Sequence, residues 1–143
     1  MLTSSFYPKS NFKLPIVYLH GFLGTYLDWI PIVENIDQSS LLINLPGHAG
    51  STWLPSIPHD PYAITSRLLY QTITKFVKGP IILLGYSLGA RIAIDFATRY
   101  PFLVSSLILE SATAAASTKG VVTIRRTSIK SPEKNVSVFQ LPY

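Results

Sequence analysis

A serine with a glycine two positions away on either side, Gly85-Tyr86-Ser87-Leu88-Gly89, directly follows a short apolar run and directly precedes a stretch with helical spacing. In that context the five residues predict a tight strand-to-helix turn. The glycines let neighbouring chain approach where a Cβ would clash, and the serine hydroxyl projects at the start of a helix. Free N–H groups and the positive end of the helix dipole are concentrated there, so charge developing on a reacting oxygen is stabilised. Ser87 is the candidate nucleophile or base, and the N–H of Leu88 the first candidate oxyanion donor. A glycine-serine turn without chemistry is the plain alternative; the strand before it and the helix after it argue against that.

Two further motifs belong to the same chemistry. His20-Gly21-Phe22-Leu23-Gly24 ends the first apolar run, and such a loop can fold over Ser87 and lend the N–H of Phe22 as a second oxyanion donor. Leu45-Pro46-Gly47-His48-Ala49-Gly50-Ser51 follows the second run and predicts a turn that shapes the pocket wall. His20 and His48 read as loop-ordering residues rather than proton carriers, and His59, beside Pro58 and Asp60, as a surface residue. Arg91 lies one helical turn after Ser87. A lone arginine in a mostly apolar helix needs an anion, and both Asp95, one turn further on, and a substrate carboxylate qualify.

The elements that must position these residues are legible as four runs, Pro15 to Leu19, Leu41 to Leu45, Ile81 to Leu84 and Val104 to Leu109. Each is nearly continuous in apolar residues, as strands covered on both faces are. Helical patterns at Pro61 to Val77 and Ser87 to Tyr100 separate the later ones, the first started by Asp60-Pro61 and the second closed by Pro101. Alternating strands and helices predict an α/β fold with a mostly parallel sheet and flanking helices. Residues 114–143 lack this pattern and can form a β-hairpin, Val121 to Ile129 with Val136 to Leu141, around Ser131-Pro132-Glu133-Lys134.

Composition narrows the classes. The chain has 143 residues, nearly half of them apolar and few charged, and suits one ordered core. It has no cysteine, which excludes disulfides and thiolate metal sites. The net charge of +5 is uneven: residues 1–113 hold seven basic and six acidic residues, whereas residues 114–143 hold five basic and one acidic. The basicity belongs to the tail, so a nucleic-acid partner is not expected. Met1 to Lys13 does not read as a secretory signal, and no apolar run nears the roughly 20 residues that span a bilayer. The expectation is a cytoplasmic protein without membrane, metal or cofactor.

HGFLG, LPGHAGS, GYSLGAR and Leu107-Ile108-Leu109-Glu110-Ser111-Ala112-Thr113 occur in the order and spacing of α/β-hydrolase-fold proteins, a resemblance covering roughly residues 14–113. The first and third motifs are shared with many esterases and peptidases. GYSLG followed by Arg91, with LILESA, resembles more narrowly the 2-succinyl-6-hydroxy-2,4-cyclohexadiene-1-carboxylate synthases of menaquinone biosynthesis. The resemblance implies a lyase in which the serine removes a proton and pyruvate is eliminated. It implies a small-molecule substrate with several carboxylates, for which Arg91 is a ligand, with Tyr86 lining the pocket. Ala90 stands where the family commonly has glycine, and Ala49-Gly50 varies the usual turn.

In that fold the acid and histidine follow the serine in sequence, and no histidine follows Ser87 here. The acids that do are Asp95, Glu110 and Glu133. A serine without its base loses on the order of 10⁴ in rate. The expectation is therefore a partial α/β-hydrolase fold at residues 1–113 with a foreign basic tail at 114–143: a truncated synthase of doubtful activity. A serine carboxylester hydrolase and a non-catalytic scaffold or binding protein are the alternatives. Half a sheet leaves one edge unpaired, through which such a chain can self-associate.

Overall fold

A computed structural model describes residues 2–11, 13–52 and 60–111, together with the backbone of 125–127 and 136–140. Among the described residues seven strands form one sheet: β1 (Ser4–Tyr7), β2 (Ile16–Leu19), β3 (Ser40–Ile43), β4 (Ile81–Tyr86), β5 (Val104–Glu110), β6 (Arg125–Thr127) and β7 (Val136–Gln140). Their spatial order is β1-β3-β2-β4-β5-β7-β6. The four central strands are mutually parallel, as their continuous apolar character predicts. β1 adds antiparallel to β3 at one side, and β7 antiparallel to β5 at the other.

Both helical patterns form. A short helix, α1 (Ile30–Val33), precedes them. α2 (Pro61–Phe76) is capped by the Asp60 carboxylate, which accepts the Ala63 N–H at 2.8 Å, and Pro61 takes the first helical position. α3 (Leu88–Arg99) turns Ala90, Ile92, Ala93, Phe96 and Ala97 inward, leaving Arg91 and Arg99 on its outer side. Alternate strand residues face opposite ways. Val17, Leu19, Leu41, Ile43, Leu83 and Leu107 pack with α2 and α3, whereas Ile16, Tyr18 and Leu42 pack with Trp29 and Val33 on the other face. That second face is covered by a 3₁₀ turn (Tyr26–Trp29) running into α1.

Several features depart from the expectation. β1 lies within the first 13 residues, where no strand is expected from sequence, and its half-buried edge position explains the weak signal. β3 begins at Ser40 and ends at Ile43, so Leu45 belongs to the turn after it. Phe76, an apolar residue of the helical pattern in Pro61 to Val77, is substantially exposed and meets Phe6, ring centroids 5.5 Å apart. Sequence leaves open whether the tail covers the sheet edge; the β5 edge carries β7 from Ser106↔Gln140 to Glu110↔Val136. β6 pairs antiparallel with β7, as the hairpin reading requires, while the turn expected at 131–134 lies outside the described residues.

Candidate active site

The strand order reverses direction at one place. From β2 the chain moves outward to β3 on one side, and from β4 it moves to β5 on the other. Loops leaving the C-terminal ends of β2 and β4 therefore diverge and leave a crevice between them, the usual ligand position in open parallel sheets. The two strongest motifs occupy those two loops: His20 to Gly24 follows β2, and Ser87 follows β4.

Ser87 adopts φ 51° and ψ −107°, a backbone conformation disfavoured for residues with a side chain. It is held on both sides. Its N–H donates to the Glu110 carbonyl at 2.9 Å, and its own carbonyl accepts the Ala90 N–H at 3.1 Å and the Arg91 N–H at 3.3 Å. The glycines answer to close backbone approaches. A Cβ on Gly85 would stand 2.5 Å from the Gly89 carbonyl oxygen, and one on Gly89 2.4 Å from that of Leu19. Leu88 opens α3, so its N–H has no acceptor within the helix.

Gly21 brings the first loop against the turn. A Cβ there would lie 2.7 Å from the Tyr86 ring and 3.5 Å from the Ser87 Cβ. Phe22 and Leu23 follow on this loop, 71% and 80% exposed, and Tyr86 is 42% exposed, so the rim beside Ser87 is apolar and open. Leu23 has φ 59°, a second strained residue within the motif.

His20 is buried, 1% exposed. Its Nε2 accepts the Leu45 N–H at 3.0 Å, so Nδ1, 2.8 Å from the Gly21 carbonyl, is the atom that carries the proton and donates it. Burial, opposed by the Gly21 hydrogen bond, moves its pKa below the ordinary 6.5. His48 lies edge-on to it, centroids 4.9 Å apart, with Nδ1 3.0 Å from the Pro46 carbonyl. Both histidines thus bond to loop backbone, the role expected of them from sequence. His59 lies outside the described residues.

Asp95 is engaged from both α2 and the far end of α3. The Asp95 Oδ2 accepts from the Arg99 Nε at 2.7 Å and from the Ser66 hydroxyl at 2.7 Å, and Arg99 reaches on to Asp60 at 2.8 Å. Arg91 lies on the exposed side of α3, within its first turn after Ser87. Glu110, half-buried, ends β5 in register with Tyr86, which places it at the same end of the sheet as Ser87.

Asn44 is a residue that sequence reasoning missed. Fully buried at the end of β3, its side chain accepts the Tyr26 N–H at 2.7 Å and donates to the Thr3 hydroxyl at 2.8 Å and the Ala49 carbonyl at 3.3 Å. Ser51 completes the knot, donating to the Asn44 carbonyl at 2.7 Å and accepting the Thr3 N–H at 2.9 Å. One polar residue between an apolar strand and a proline-glycine turn was the available signal. No group of three or more metal-ligating side chains occurs among the described residues, and none of the described helices is long and apolar enough to cross a membrane.

Comparison with known proteins agrees with this geometry. The family described as the alpha/beta hydrolase fold matches residues 15–136. Over 80 residues the chain is 46% identical to a 2-succinyl-6-hydroxy-2,4-cyclohexadiene-1-carboxylate synthase of Yersinia pestis (strain Pestoides F), a match covering 55% of this chain and 28% of that protein. Over 103 residues it is 32% identical to the chloroplastic protein PHYLLO of Arabidopsis thaliana, covering 66% of this chain and 6% of that one. Among solved structures it is similar to MenH from S. aureus, with a TM-score of 0.67 and 29% identity over 76% of this chain and 41% of that chain. The chain thus matches little more than a quarter of the synthase's length and a small fraction of PHYLLO's.

Proposed function

Since the chain belongs to the alpha/beta hydrolase fold family, we propose that it carries the serine and oxyanion parts of a lyase site of the 2-succinyl-6-hydroxy-2,4-cyclohexadiene-1-carboxylate synthase type. The observation that carries the reading is the strained Ser87 at the crevice between β2 and β4, with Gly21 packed against it. In this reading Ser87 Oγ, once its own hydroxyl proton has passed to a histidine, takes a proton from the substrate. The electron pair left on carbon forms a double bond as pyruvate departs, and the N–H groups of Leu88 and Phe22 stabilise the oxyanion that develops meanwhile. Arg91 binds a substrate carboxylate from the exposed side of α3, and Tyr86 lines the pocket. The 46% identity to a synthase supports this substrate class.

Among the described residues neither His20 nor His48 is the histidine that such a serine needs, because the His20 nitrogens are engaged by Gly21 and Leu45 and His48 Nδ1 lies against the Pro46 carbonyl. What the described residues supply to the site in this reading is the nucleophile turn and the oxyanion loop. Reaction with a fluorophosphonate serine probe tests the proposal, with Ser87→Ala as control. Labelling that vanishes in the variant supports an activated Ser87; equal labelling of both proteins, or none in a folded sample, rejects it.

The apolar rim of Phe22, Leu23 and Tyr86 favours a second reading, a carboxylester hydrolase. Release of pyruvate from the synthase substrate and hydrolysis of a short-chain nitrophenyl ester separate the two, each measured against Ser87→Ala.

A further inference from the structure

We propose that His20 is a positioning residue that works only as a neutral imidazole, joining the oxyanion loop to the turn after β3, and that a proton on its Nε2 releases that joint. The inference rests on the reading that Phe22 serves Ser87. Nε2 of the ring accepts the Leu45 N–H and Nδ1–H donates to the Gly21 carbonyl, so a single buried side chain ties together two loops 25 residues apart. Gly21 in turn abuts Tyr86 and Ser87, and its carbonyl also accepts the Gly24 N–H at 3.1 Å, which closes the loop around Phe22. The path from Leu45 through His20 and Gly21 to Ser87 is therefore continuous.

A backbone N–H cannot accept a proton. Protonation at Nε2 sets two donors face to face, 3.0 Å apart in a buried site, and the Leu45 contact must open. The charged groups around the ring divide. His48, edge-on from the turn after β3, opposes a positive charge on His20, and Asp28, from the 3₁₀ turn, favours one. Asp28 already accepts the Thr25 N–H at 3.0 Å, which occupies part of its carboxylate. Burial opposes the charge most strongly, and the net displacement of the pKa is downward from 6.5. The unfolded chain therefore binds the proton more readily than the folded one. The stabilising effect of neutral His20 is complete above pH 6.5 and is lost as pH falls from there toward the lowered folded value.

Histidine ring ¹⁵N NMR of the full chain tests the inference without reference to catalysis. The expected result is a His20 ring in the Nδ1–H form that stays neutral below pH 6.5, with the Leu45 amide signal shifting when it finally titrates. A ring in the Nε2–H form, or one that titrates at the ordinary value while the Leu45 amide stays fixed, overturns it. Fluorophosphonate labelling against pH then reads the consequence. The rate at Ser87 should fall along the His20 titration, by on the order of 10²-fold for a displaced oxyanion loop. His20→Gln, which cannot take up the proton, should show no step in that window at whatever rate it retains. A step that persists in His20→Gln overturns the inference. Absence of labelling at every pH counts against the function proposed for Ser87, and the NMR result then decides the role of His20.

Discussion

Ser87 and Glu110 are joined by a main-chain hydrogen bond of 2.9 Å, one residue beyond the last paired position of β4 and β5, Tyr86 with Glu110. The sheet ladder thus continues onto the strained residue itself, while the first turn of α3 grips the Ser87 carbonyl from the other side. A conformation that costs about 1–3 kcal/mol by itself persists because the structure on both sides fixes it.

Replacing Ser87 by glycine should therefore stabilise the fold while removing the reactive group. The expected gain is about 1 kcal/mol, read as a raised urea midpoint with an unchanged slope, together with loss of probe labelling. A lowered midpoint would show that the serine side chain holds the turn instead of straining it.

Gly89→Ala should reverse the usual helix preference. Within a helix, alanine normally stabilises relative to glycine by up to about 1 kcal/mol. Here the added Cβ meets the carbonyl oxygens of Leu19 at 2.4 Å and His20 at 2.6 Å, so β2 and α3 must separate. A net loss of about 2 kcal/mol or more is expected by chemical denaturation.

Asn44→Ala should cost about 2 kcal/mol, because the Tyr26 N–H loses its acceptor while Thr3 and Ala49 lose a donor. Amide exchange at Tyr26 should accelerate more than at Ile73, which lies in α2 away from the knot. Uniform acceleration would mean that the substitution destabilises the whole fold without loosening this corner first.

The network joining α2 to α3 should divide unequally. Ser66 is fully buried and donates to Asp95, so Ser66→Ala should cost about 1.5 kcal/mol. The Arg99 pairs are partly exposed, and Arg99→Ala should cost less than about 1 kcal/mol. Thermal melts of the two variants check the order.

Asp60 should contribute to the acid limb of stability. The Ala63 N–H, and after it Arg99, hold its carboxyl below the usual 3.8. Below that value the unfolded chain binds the proton first, so the contribution is fully present only well above pH 3.8 and disappears as pH falls through the folded value. Asp60→Asn should flatten that part of the stability profile; an unchanged profile would place the acid limb on other carboxylates.

The sequence by itself determined the parallel centre of the sheet and the turn at Ser87. Both are written locally: strands buried on two faces must be continuously apolar, and a serine between two spaced glycines after such a strand has few conformations to choose from. Asp60-Pro61 likewise set the start of α2, because a cap needs only its own first turn. Features that depend on contact between distant residues were decided by the tertiary structure alone. β1 is half-buried at an edge, so Ser4-Ser5-Phe6-Tyr7 carries no strong pattern, and its place beside β3 is fixed by pairing with Ser40 to Ile43, far along the chain. Helical spacing offered Asp95 as a partner of Arg91, and the approach of Ser66 and Asp60 from the α2 side built its contact with Arg99. His20 was readable as a loop-ordering residue, but its protonated atom was not. Leu45 supplies the N–H that occupies Nε2, and only the packing of β2 beside β3 brings that donor to the ring, because a hydrogen-bond partner is chosen by proximity in space.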